Sequence, residues 1–173
     1  MFNRILRAFR NDVSLYGELK GNPEFASESW MVLAISILIS AVLATLTSIG
    51  DGILVGIVGG VISALGGIFG YLVLVVLAWL IGTKLAKGTG SVADIRAAVA
   101  YAYCIPAILT PVPIIGFIAS LWLLVTESSA IRETLGIGKG LTFLIVMLSV
   151  AAILVYSVVI SGILFALMAS GAI

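Results

Sequence analysis

Hydrophobic residues fall along this chain in long runs separated by short polar breaks, preceded by a stretch in which they recur instead at helical spacing. In that stretch Phe2, Ile5, Leu6, Phe9, Val13 and Tyr16 share one face while Arg4, Arg7 and Arg10 fall largely on another, which predicts an amphipathic helix over residues 2–16. Such a helix suits a membrane interface, its apolar face entering the headgroup region and its arginines meeting anionic lipid. Packing of the same face on a helix bundle is the alternative. Between Gly17 and Ser29, Gly21, Pro23 and four charges make a polar connector.

Trp30 opens the first uncharged run, 30–49, whose 20 residues match a hydrocarbon core about 30 Å thick. Gly50-Asp51-Gly52 is a turn, and the second run, 53–82, is longer than a straight crossing requires, so it is expected to tilt or bend. Gly52, Gly56 and Gly60 recur every four residues, and Gly59, Ser63 and Gly67 do so on a neighbouring stripe, a pattern that lets helix backbones approach closely. The partner helix is expected within the chain, with a homo-oligomer through this second helix as the alternative.

Residues 83–94 form a loop in which Ser91 and Asp94 have the spacing of a capping box. The apolar stretch from Ile95 to Thr126 is interrupted by Pro111 and Pro113, with Gly116 close behind, and each proline disfavours helix through the residue before it. Read as a hairpin turn, this break gives a third crossing at 95–110 and a fourth at 114–133. Read as a kink, it gives one tilted helix and four crossings in all. Gly136, Gly138 and Gly140 then close the helix, and 141–169 is the last crossing.

Charge placement separates the two. With the hairpin, all nine basic residues lie on one side: Arg4, Arg7, Arg10 and Lys20, then Lys84, Lys87 and Arg96, then Arg132 and Lys139. The kinked alternative strands Arg132 and Lys139 on the other side. The expected fold is therefore an all-α membrane protein with five transmembrane helices and an N-terminal interfacial amphipathic helix. Residues 1–29 form its cytoplasmic segment and 30–173 its transmembrane domain, multi-pass in the cell membrane with the N-terminus cytoplasmic and the C-terminus outside.

Composition agrees: 62% hydrophobic and 10% charged residues leave more apolar surface than a soluble core of this size buries. Asp12, Glu18, Glu24 and Glu28 precede the first long apolar run, so no cleaved signal peptide is expected. A net charge of +1 gives no reason to expect nucleic acid. The absence of histidine removes imidazole bases, Ser-His triads and most transition-metal sites, and Cys104, the single cysteine, can form neither an intrachain disulfide nor a thiolate cluster. Asp12, Asp51 and Asp94 all lie in or beside loops, which argues against a paired-aspartate protease. Gly136-Ile-Gly138-Lys139-Gly140 lacks the ending and the sheet context of a phosphate loop and reads as a turn. No catalytic residue, cofactor or metal is expected.

One polar constellation stands out. The hairpin brings Asp94, Arg96, Glu127, Arg132 and Glu133 to the cytoplasmic ends of the third and fourth helices. Glu127 follows a long uncharged run and needs a partner, for which Arg96 across the hairpin is the candidate. The group reads either as an ion pair fixing helix ends or as a ligand or proton site. Tyr101, Tyr103 and Trp122 read as packing or interface anchors.

The order of parts resembles the Yip1 family of small five-helix membrane proteins. The resemblance rests on Leu15-Tyr16-Gly17 and Asn22-Pro23 before the first crossing, on Ala100-Tyr101-Ala102-Tyr103-Cys104-Ile105-Pro106 in the third, and on Pro113-Ile-Ile-Gly116 and Trp122 after it. Eukaryotic relatives share a DLYGP-like element, which here reads Ser14-Leu15-Tyr16-Gly17-Glu18, and a long N-terminal cytosolic region that is missing here. The resemblance implies a compact prokaryotic-type member with a non-enzymatic role in organising or remodelling membrane, or as a trafficking-type scaffold. It also implies a peripheral protein partner at the cytoplasmic face, which in eukaryotic relatives is a prenylated Rab-type GTPase. The competing expectation is a small transporter or channel built on the polar cluster.

Overall fold

The computed structural model describes residues 1–169, and among them every regular element is a helix. The amphipathic stretch is two helices, α1 (Phe2–Phe9) and α2 (Ser14–Leu19), instead of the single helix expected over 2–16. The break has a local cause. Asn11 adopts a left-handed φ of 56°, and Asp12 accepts hydrogen bonds from the backbone and hydroxyl of Ser14, competing with continued helix.

α3 (Pro23–Ser48) starts well before Trp30, inside the stretch read as connector. Asn22 caps it by accepting from the Glu24 N–H at 3.0 Å, and Pro23 occupies its first turn, where a missing donor costs nothing. A short 3₁₀ turn, Ile49–Asp51, leads through Gly52 at φ 130° into α4 (Ile53–Trp79), which runs on as a π-helical turn over Leu80–Leu85. α5 (Val92–Leu109) opens on the expected capping box, with Ser91 and Asp94 bonded reciprocally. Pro111 and Pro113 lie in a turn, and α6 (Ile115–Leu135) returns, ending on Gly136 in the left-handed region. α7 (Lys139–Ala169) is last. Five helices are thus long and apolar enough to cross a membrane, and the proline break is a hairpin, not a kink. The expected outside tail beyond Ala169 lies outside the described residues.

α5 is the central helix. Alanines at 97, 98, 100, 102 and 107 are all buried, and their small side chains let α3, α4, α6 and the α1–α2 segment close around it. α4 lies against α3 through Gly56 and Gly60, where an added Cβ would meet the Thr45 and Ala41 carbonyls at 2.9 Å each. The glycine face therefore packs within the chain. Gly52 is exposed and serves the turn, whereas Gly59 and Gly67 approach Ser48 and Tyr103.

Two interhelix bonds set the heights of these helices. Arg96 donates to the Ala26 carbonyl, aligning α5 with α3, and the Thr126 hydroxyl lies 3.2 Å from the Ala102 carbonyl, sharing its one proton with the Trp122 and Leu123 carbonyls of its own helix, which sets α6 beside α5 at that height. In that register Leu109 stands level with about Ile39, so the α5–α6 turn ends roughly 13 Å short of the α3–α4 turn at 1.5 Å per residue. Lys20, Lys84, Lys87, Arg96, Arg132 and Lys139 lie toward the opposite end, where α4 and α6 finish and α5 and α7 begin, whereas Arg10 follows Phe9, whose carbonyl meets Trp122 part-way along α6.

Candidate functional site

The five polar residues at the hairpin base do not form one cluster. Asp94 accepts from the Ser91 N–H at 2.9 Å, the Ser91 hydroxyl at 2.6 Å and the Gly21 N–H at 2.7 Å, so it caps α5 and ties the connector to it. Arg96 donates to the Ala26 carbonyl at 2.7 Å and stacks over Trp30, 4.3 Å from the ring centroid. Arg132 pairs with its neighbour Glu133 at 2.7 Å, near the surface.

Glu127 forms no hydrogen bond or ion pair with Arg96. The alignment of Thr126 with Ala102 puts Glu127 more than a helical turn deeper than Arg96, which is already held on α3. Glu127 is only 7% exposed and faces a cavity of about 390 Å³ between α3, α4, α5, α6 and α7. Hydroxyls of Ser40, Ser63, Tyr103, Thr110, Ser120 and Ser149 line it. The sequence drew attention to Ser63 and Tyr103 only as packing residues and to the other four not at all. A serine in an apolar run commonly bonds its own helix backbone, and spacing alone gives no sign that five helices will turn theirs to one place. Among the described residues, no group of three or more His, Cys, Asp or Glu side chains is placed to hold a metal.

A second arrangement surrounds α1 and α2. Ala8, Leu15, Tyr16 and Leu19 are buried in one apolar cluster with Ala98, Tyr101 and Ala102 of α5 and Ala130 of α6. The Trp122 indole N–H donates to the Phe9 carbonyl at 2.8 Å, and the two rings meet edge to face. Arg4 pairs with Glu28 and reaches the Tyr101 hydroxyl. Arg7 holds Asp12 at 2.7 Å and Glu18 at 2.7 Å. The bundle thus takes most of the apolar face, and two of the three arginines expected to meet lipid are engaged within the chain. Phe2, Arg10 and Val13 remain exposed.

The Arg7 pairing carries a pH dependence. The Ser14 hydroxyl, then Arg7, holds the Asp12 carboxyl below its usual value, and Arg7 does the same for Glu18. Carboxylates depressed in the folded state add stability above their unfolded values, about 3.9 for Asp and 4.3 for Glu, and lose it as pH falls through the folded ones. The protection of backbone amides over residues 2–19, corrected for the intrinsic exchange rate at each pH, should therefore be unchanged from neutral pH to about 5 and fall below about 4. In Arg7→Gln the Glu18 contribution should be lost and the acid step should shrink, leaving the part that Ser14 gives through Asp12.

The model of the Yip1 domain matches residues 9–161, most of the chain. The chain belongs to the Yip1 family. No curated protein and no solved structure matches it. The matched region of this Yip1 protein begins at the end of α1 and takes in α2, so Leu15 and Tyr16, the two side chains that seat the segment on α5, lie within the domain. The hairpin prolines and Glu127 lie within it too.

Proposed function

We propose that this Yip1 protein is a non-enzymatic organiser of membrane shape, multi-pass in the cell membrane with its basic end cytoplasmic. The orientation is supported by Lys20, Lys84, Lys87, Arg96, Arg132 and Lys139, which lie toward one end of the spanning helices, while the α3–α4 and α5–α6 turns carry no basic residue. The observation that carries the role is the α1–α2 segment, fixed to α5 and α6 by Leu15, Tyr16 and Trp122 while Phe2, Arg10 and Val13 stay exposed. An amphipathic element held rigidly to spanning helices acts as a wedge in one leaflet, since its insertion depth is set by the bundle and not by its own affinity for lipid. The same face offers a peripheral protein a docking surface, the trafficking form of this role.

The test is vesicle shape after reconstitution into liposomes containing anionic lipid, seen by electron microscopy. The natural protein should yield smaller or tubulated vesicles, and Phe2→Glu with Val13→Glu, which leaves the buried face intact, should return them to the protein-free size. Identical vesicles from both would overturn the role. A second reading, a small transporter or channel, is favoured by the cavity at Glu127; solute flux that vanishes in Glu127→Gln would establish it.

A further inference from the structure

α6 and α7 run antiparallel on either side of the turn at 136–138, but each is held chiefly by another neighbour. α6 lies on α5 through Ala130, and α7 lies on α4, where Phe69 and Tyr156 stack at 4.7 Å. A groove of about 380 Å³ is left between them, with Val125 and Phe143 exposed along it. Its lining follows helical spacing on both sides: Leu124, Ser128 and Arg132 stand one turn apart on α6, and Lys139, Phe143 and Met147 one turn apart on α7. Because the helices are antiparallel, Arg132 and Lys139 fall at one end and Leu124 and Met147 at the other, roughly 12 Å away at 1.5 Å per residue. The groove therefore grades from cationic to apolar, with the hydroxyls of Ser128 and Ser129 between.

Charge at the cationic end is not balanced by the protein. Glu133 holds Arg132 through one carboxylate oxygen, 2.8 Å from Nε and 2.7 Å from Nη2, and among the described residues Lys139 has no ion-pair partner. Two cations and one carboxylate leave one positive charge. Lys139 is also the first residue of α7, where unbonded backbone N–H groups favour an anion and disfavour a cation. Ser129 is 8% exposed, and neither its hydroxyl nor that of Ser128 hydrogen-bonds to a described residue, so both protons are free to donate into the groove. Helix side chains lean toward the N-terminus, which carries Arg132 toward these two serines one turn below it. The donors thus suit one tetrahedral anion. A free phosphate would leave Leu124, Val146 and Met147 uncovered, whereas a lipid of the same headgroup chemistry covers them with a chain.

We propose that this groove binds one anionic phospholipid, its phosphodiester on Arg132, Lys139, Ser128 and Ser129 and one acyl chain laid along Leu124, Val125, Val146 and Met147. A zwitterionic lipid brings its own cation against the same two basic residues and is disfavoured. The site is separate from the α1–α2 segment, so it does not depend on the vesicle-shape result.

The test is native mass spectrometry of the purified full-length chain in detergent, with dioleoylphosphatidylglycerol and dioleoylphosphatidylcholine added in equal amounts. The natural protein should carry one phosphatidylglycerol, bound severalfold over phosphatidylcholine. Arg132→Gln with Lys139→Gln should bring the two lipids level, and Ser128→Ala with Ser129→Ala, which keeps both cations, should reduce the preference. Lys84→Gln with Lys87→Gln removes the same charge from exposed positions at the same end and should leave the preference intact. Excess glycerol 3-phosphate, which has the phosphate but no chain, should not displace the lipid. Equal binding of the two lipids by the natural protein, a preference that survives either the arginine–lysine or the serine pair of changes, the same loss in Lys84→Gln with Lys87→Gln, or displacement by glycerol 3-phosphate would overturn the proposal.

Discussion

Gly60→Leu will separate α4 from α3 and destabilise the protein by about 3 kcal/mol, the upper range for forcing volume into a closely packed contact. A Cβ at position 60 would fall on the Thr45 hydroxyl and lie 2.9 Å from the Ala41 carbonyl. Neither neighbour gives way easily: one is backbone, and the Thr45 hydroxyl is itself bonded to that carbonyl at 3.0 Å. The expected signature is a lowered melting midpoint in detergent with loss of the monodisperse species on gel filtration. Gly162→Leu is the control, since an added Cβ there meets nothing within 4 Å. If the two variants melt together, close approach of α3 and α4 is not what Gly60 provides.

The second large effect is close to all-or-none and reads out topology. In a Cys104→Ala background, single cysteines replace Asp51, Lys139 and Thr110, all of which are exposed. An impermeant maleimide should label the Asp51→Cys variant in intact cells and the Lys139→Cys variant only after the membrane is opened. The Thr110→Cys variant should label far more slowly than Asp51→Cys, because its turn ends roughly 13 Å short of the α3–α4 turn. Labelling of Asp51→Cys and Lys139→Cys from the same side would remove the proposed orientation. Thr134 is a poor probe of the same end: it is 1% exposed, so its silence would say nothing about sidedness.

Both predictions use distances between helices, whereas the helices themselves could be read from the chain. Lipid demands long uncharged runs of set length with their backbone bonded internally, so the crossings could be counted from composition and periodicity. Local chemistry marked several ends as well. Ser91 and Asp94 announced the start of α5, Pro111 and Pro113 its return, and Gly136 the end of α6. The Yip1 resemblance was legible for the same reason, since Leu15-Tyr16-Gly17 and the proline turn are short contiguous elements.

Where the reading fell short, a local competitor or a distant neighbour intervened. Asn11 and Asp12 break the amphipathic stretch through a side-chain bond that a hydrophobic pattern does not record, and the Asn22 cap starts α3 among charges that looked like a connector. Arg96 and Glu127 are both polar groups near the hairpin base, yet the first bonds α3 while the second turns into a cavity. Which of them meet depends on how far each helix slides along the next. That sliding is set by Gly56 and Gly60 against α3 and by the alanines of α5 against everything around it, contacts between backbones far apart in the chain. The sequence by itself therefore determined the number of helices and most of their ends, because bilayer thickness and turn chemistry act locally. Helix register was left to the tertiary structure, and with it the depth of Glu127, the short hairpin above it and the convergence of hydroxyls from five helices.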